Sequence, residues 1–129
     1  MRVLRTRSAR AVTVAGIALG TMVAVAPSAS AASPSCSSTY TCWWVDTGYS
    51  GTFYGSSMNQ SGWPSGIADK DSSVFNNGTS GNAIFTYNYG FQIEVMYCVR
   101  RGVAVSAIPS DKANRGNSHS WHAADGGCY

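Results

Sequence analysis

Asp69-Lys70-Asp71-Ser72-Ser73-Val74-Phe75 and Asn114-Arg115-Gly116-Asn117-Ser118-His119-Ser120-Trp121 are the two stretches on which the fold turns. Each is a polar corner that ends in serine and then an aromatic. Their first residues, 69 and 114, lie 45 positions apart. An aromatic run and Tyr49-Ser50-Gly51 precede the first corner; Phe85-Thr86-Tyr87 and Tyr89-Gly90 precede the second. Self-similarity at such a spacing is the mark of a duplicated supersecondary unit.

The sequence between the corners reads as short strands. Runs of β-forming residues occupy 41–45, 51–54, 73–75, 83–87, 92–99 and 103–108. Turn signals separate them: Thr47-Gly48, Asn76-Asn77-Gly78, Ser80-Gly81 and Asn88-Tyr89-Gly90. Gln92-Ile93-Glu94-Val95 alternates polar and apolar, which predicts a half-buried strand. No helical stripe of useful length survives the frequent Gly, Ser and Asn. The fold class is all-β, a sandwich or closed sheet.

Residues 1–31 read as a signal peptide. Arg2, Arg5, Arg7 and Arg10 precede an uncharged stretch at 11–26, and Ala29-Ser30-Ala31 supplies the small residues of a cleavage site. The apolar stretch is short of the roughly 20 residues a spanning helix needs. Cleavage after Ala31 leaves a domain of residues 32–129, secreted and without a membrane anchor. Four of the nine basic residues leave with the leader. Lys70, Arg100, Arg101, Lys112 and Arg115 then face six acids, a balance of 5 − 6 = −1 in place of the whole chain's +3. No basic stripe remains to neutralise nucleic-acid phosphates.

Export makes disulfides the expected state of Cys36, Cys42, Cys98 and Cys128. Of the three possible pairings, Cys36 with Cys42 and Cys98 with Cys128 is preferred. The first closes a local loop and the second pins the C-terminus to the domain. A zinc site from Cys98, His119, His122 and Cys128 is disfavoured by the compartment and by the lack of a Cys-x-x-Cys pair.

Residues 42–55, the corner at 69–78 and Tyr97-Cys98-Val99-Arg100-Arg101-Gly102 resemble the βγ-crystallin superfamily. Within it they resemble the secreted bacterial metalloproteinase inhibitors of peptidase inhibitor family I36. The resemblance implies a disulfide-stapled sandwich of two Greek-key motifs, a monomer that binds an extracellular peptidase without cutting anything. It further implies an inhibitory loop of Tyr97, Cys98, Val99 and Arg100, with the Cys98-Val99 bond lying substrate-like in the target's cleft. Val99 would supply the apolar side chain that thermolysin-like metallopeptidases favour just after the scissile bond. The next cysteine is Cys128, whereas the inhibitor pattern closes a tight loop within a few residues. The rival reading of these residues is a strand anchored by Cys98, with Val99 in the core.

Calcium-binding members of the superfamily carry an Asn/Asp pair at each corner. Here Ala68 and Ala113 stand at the first position of each pair, and Asn117 replaces a Ser or Thr. Fewer oxygen ligands mean weak or no calcium binding, so no cofactor is expected. The alternative function is a non-inhibitory extracellular module, calcium-responsive, cell-wall-directed or toxin-like. No catalytic residues are assigned. The sequence holds neither Gly-x-Ser-x-Gly nor His-Glu-x-x-His, and His119 and His122 sit in a Gly- and Ser-rich tail. One of Trp43 and Trp44 is expected to face inward and the other outward. An exposed Trp44 or Trp63 would mark a binding surface.

Overall fold

The computed structural model describes residues 34–129; the signal-peptide expectation falls outside these residues. Among the described residues seven strands form: β1 (Thr41–Asp46), β2 (Ser50–Ser56), β3 (Ser73–Asn76), β4 (Ala83–Asn88), β5 (Glu94–Val99), β6 (Ala104–Val105) and β7 (Ser118–His122). They build two antiparallel sheets, ordered β2-β1-β3-β6 and β5-β4-β7. The all-β expectation is met. β7 lies in the Gly- and Ser-rich tail, outside the runs of β-forming residues, and the run at 103–108 shrinks to a two-residue strand.

The duplication is written into the pairing. β6, from the second half, pairs with β3 of the first half through Val74 and Val105. Gln60, from the first half, bridges to His119 in β7 of the second. Adding 45 to Gln60 and Val74 gives Val105 and His119, so the two exchanges are equivalent. The corners repeat the relation. The Asp69 amide donates to the Gly116 carbonyl and the Asn114 amide to the Asp71 carbonyl, both at 2.8 Å. Asp69 and Asn114 both adopt left-handed backbone, φ 57° and 60°, a region that Asn and Asp tolerate better than most residues.

Between the sheets lie Trp43, Trp63, Ile67, Val74, Ile84, Met96, Tyr97, Val99 and Ile108, all buried. Each such side chain contributes roughly 1.5–3 kcal/mol by leaving water. Trp43 packs its ring 4.6 Å from Trp63 and 4.5 Å from His119. Trp44 occupies the opposite face of β1, as alternation requires, yet it is buried as well. Tyr49 meets it edge-on at 5.4 Å and Phe53 covers it at 5.8 Å. Trp63 is also buried, so neither Trp44 nor Trp63 supplies the open aromatic surface considered from sequence.

The cysteines pair as Cys36–Cys42 and Cys98–Cys128. The first bridge ties the segment before β1 to β1 itself. The second holds the C-terminus beside β5.

Candidate functional site

Tyr97, Cys98 and Val99 lie in β5 and not on a projecting loop. Val99 sits opposite Ile84, Cys98 opposite Phe85 and Tyr97 opposite Thr86. Val99 is wholly enclosed in the core. The outer edge of the strand is occupied too: the Tyr129 amide donates to the Cys98 carbonyl at 3.0 Å, and the Arg100 amide donates to the Tyr129 carbonyl at 3.1 Å. The Cys98-Val99 backbone is therefore flanked by β4 on one side and by the disulfide-pinned C-terminus on the other. This corrects the expectation of an exposed loop, because the stretch has no free edge to lay in another protein's groove. Arg100 is exposed, and its guanidinium donates to the Asp125 carbonyl at 2.9 Å.

Beneath this edge, Asp71 is fully enclosed. One carboxylate oxygen accepts from the Gly116 amide at 2.8 Å and the Arg115 amide at 3.1 Å. The other accepts a short hydrogen bond from the Tyr97 hydroxyl. Burial pushes the Asp71 carboxyl up from its ordinary range, and these three donors oppose that shift. Burial also raises the Tyr97 phenol well above its usual value, with the Asp71 charge adding to the shift. Tyr97 thus serves as a buried tie between β5 and the two corners.

The corners are occupied with one another. Ser72 Oγ lies 3.4 Å from Asn114 Oδ1, and Asn117 Nδ2 lies 3.4 Å from Asp69 Oδ1. Cys98, Asp125 and Cys128 cluster within metal-binding reach, but both sulfurs belong to the disulfide and offer no thiolate.

Among the described residues there is one Ser–His contact. Ser120 Oγ lies 2.7 Å from His122 Nε2. Ser120 is enclosed, and its hydroxyl also meets the Tyr87 hydroxyl at 2.8 Å. A nucleophile must be open to substrate, and this one is covered on the outer face of its sheet. The surface pocket lined by Thr39, Ser57, Gly78, Thr79, Ser80 and Trp121 holds neither residue of the pair.

What the strands do present is the β4–β5 hairpin. Tyr89 is 70% exposed, Ile93 70% and Val95 53%. Alternation alone would have turned Ile93 and Val95 inward. The register explains the reversal: Thr86 pairs with Tyr97 but Tyr87 pairs with Val95, so Met96 is an extra residue in β5. Such a bulge inverts the facing of every residue beyond it. Met96 is buried, Val95 points to solvent, and Ile93 is exposed in the turn before β5.

Residues 29–98 match peptidase inhibitor family I36. The chain belongs to that family. It is a family of peptidase inhibitors and not of enzymes, in keeping with the buried Ser120. No curated protein matches the chain. Among solved structures, a βγ-crystallin from an archaeon is similar, with a TM-score of 0.53 at 16% identity, over 64% of this chain and 96% of that one. At that identity the likeness establishes the fold, a βγ-crystallin sandwich with two disulfides.

Proposed function

We propose that this family I36 inhibitor is exported, loses residues 1–31, and acts as a monomer on an extracellular metallopeptidase. The observation that carries the reading is the family match over residues 29–98. The metallopeptidase class is supported by the resemblance of 42–55, 69–78 and 97–102 to the secreted metalloproteinase inhibitors of the family. Export is supported by the leader-like pattern at 1–31 and by two disulfides, which persist in oxidising compartments.

An inhibitor works by presenting a rigid surface, which lowers the ordering cost of association. The second disulfide and the enclosed Asp71–Tyr97 tie give this domain such rigidity around β5.

The test is a titration. Purified 32–129 protein added to a thermolysin-type metallopeptidase is expected to remove activity in proportion, reaching zero near one equivalent. Full activity at excess protein, with serine and cysteine peptidases equally unaffected, would contradict the reading.

A further inference from the structure

Four large apolar side chains crowd the short β4–β5 turn: Tyr89, Phe91, Ile93 and Val95, all exposed. Soluble monomers seldom leave such residues contiguous without a partner. Other exposed apolar residues, Tyr40, Phe53 and Met58, stand outside this segment, and Phe53 has a packing role over Trp44.

The exposure is built in. The bulge at Met96 turns Val95 outward when the unbulged strand would bury it, and Ile93 is exposed in the turn before β5. Bulges recur where a strand must re-aim a side chain for function. Tyr89, Gly90 and Gln92 hold left-handed backbone at φ 57°, 114° and 61°, which for Tyr89 and Gln92 is a conformation L side chains rarely adopt.

The turn is also braced. The Tyr89 amide donates to Asn88 Oδ1 at 2.9 Å, the Gly90 amide to Asn117 Oδ1 at 3.3 Å, and Asn88 Nδ2 to Glu94 Oε2 at 3.3 Å. Arg115 in the second corner pairs with Glu94 at 3.5 Å. The backbone that carries these side chains is therefore held in place before any partner arrives, which lowers the ordering cost of association.

Charge narrows the partner. From Ser72 to Val99 the sequence holds one ionisable acid, Glu94, and no lysine or arginine. Glu94 is already paired with Arg115. The hairpin's one ion pair is neutral as a pair, and its apolar side chains fit an apolar subsite.

We propose that the β4–β5 hairpin, through Tyr89, Ile93 and Val95, is the surface this inhibitor inserts into the apolar specificity pocket of its peptidase. The proposal rests on the inhibitor reading above. It moves the contact from the enclosed Cys98-Val99 bond to the exposed end of the same strand.

The experiment compares wild type with Ile93→Asp, Val95→Asp and, as a control on another exposed apolar residue, Met58→Asp. Both Ile93 and Val95 face solvent, so the variants should keep the wild-type melting temperature. Loss of an anchoring apolar contact should raise the half-inhibitory concentration by about tenfold or more for each hairpin variant, with Met58→Asp unchanged. Wild-type inhibition that survives both hairpin variants overturns the proposal and leaves the inhibitor reading standing. Failure of the wild type against every peptidase class overturns both. Sedimentation in the same samples covers the remaining occupant. A wild-type dimer that Ile93→Asp dissociates without loss of inhibition would make the patch an interface between copies and overturn the proposal.

Discussion

His119 is fully enclosed, and its environment fixes its protonation state. The Trp63 indole donates to Nδ1 at 2.6 Å, so the ring proton sits on Nε2 and donates to the Met58 carbonyl at 2.8 Å. An imidazolium would place a second N–H against the indole N–H. Burial lowers the His119 pKa from 6.5 to about 4. Its contribution to stability is present above pH 6.5 and is lost as pH falls toward 4, about 3 kcal/mol across that window. Asp71 acts in the opposite sense. Burial raises its folded pKa above 3.8, so its contribution is fully present below 3.8 and is lost as pH rises through the raised value. The wild-type slope is thus a sum, and a variant isolates the histidine. Denaturant melts between pH 4 and 7 should show wild type losing more stability on acidification than His119→Gln, which starts lower at neutral pH. Parallel curves would contradict the assignment.

At the scale of elements, β5 and the C-terminus act together. Cys128 is bonded to Cys98, and Tyr129 completes the outer edge of the strand. The Cys98–Cys128 bridge spans 30 positions and Cys36–Cys42 spans 6. Loop closure then assigns about 3–4 kcal/mol to the former and about 2 kcal/mol to the latter, on the chain-entropy account of cross-links. Replacing Cys98 and Cys128 by alanine should lower the melting temperature more than replacing Cys36 and Cys42. It should also expose the Arg100 and Tyr129 amides to exchange with solvent. Equal losses from the two pairs would contradict this account.

The strands differ in how far the sequence discloses them. β1 and β4 are legible because their aromatic and apolar residues suit a pleated surface whatever lies opposite. β7 is not, because Ser118-His119-Ser120-Trp121-His122 places a histidine where a strand's core residue belongs. His119 is tolerated there through Trp63 and Met58, partners 56 and 61 positions away. The bulge at Met96 is equally hidden. The alternation of Gln92-Ile93-Glu94-Val95 is real, but its facing is set by pairing with β4, which no local pattern encodes. The Tyr97–Val99 stretch carries a family resemblance, while its burial depends on Ile84 across the sheet and Tyr129 at the chain's end.

Over the whole molecule, the two halves are interlocked. Each passes a short segment to the other's sheet, and the corners exchange hydrogen bonds in equivalent pairs. Their shared interior is closed by Trp43, Trp63 and His119, with the Asp71–Tyr97 tie beneath β5. Such a body offers a partner its edges and turns, not its centre. Of the turns, the β4–β5 hairpin combines exposed apolar side chains with a braced backbone. Amide hydrogen exchange of the domain, free and bound to a metallopeptidase it inhibits, tests this most directly. New protection is expected across residues 89–95 on binding, with the Cys98 to Arg100 amides slow to exchange in both states. Protection confined to residues 100–102 or to the two corners, with 89–95 unchanged, would contradict it.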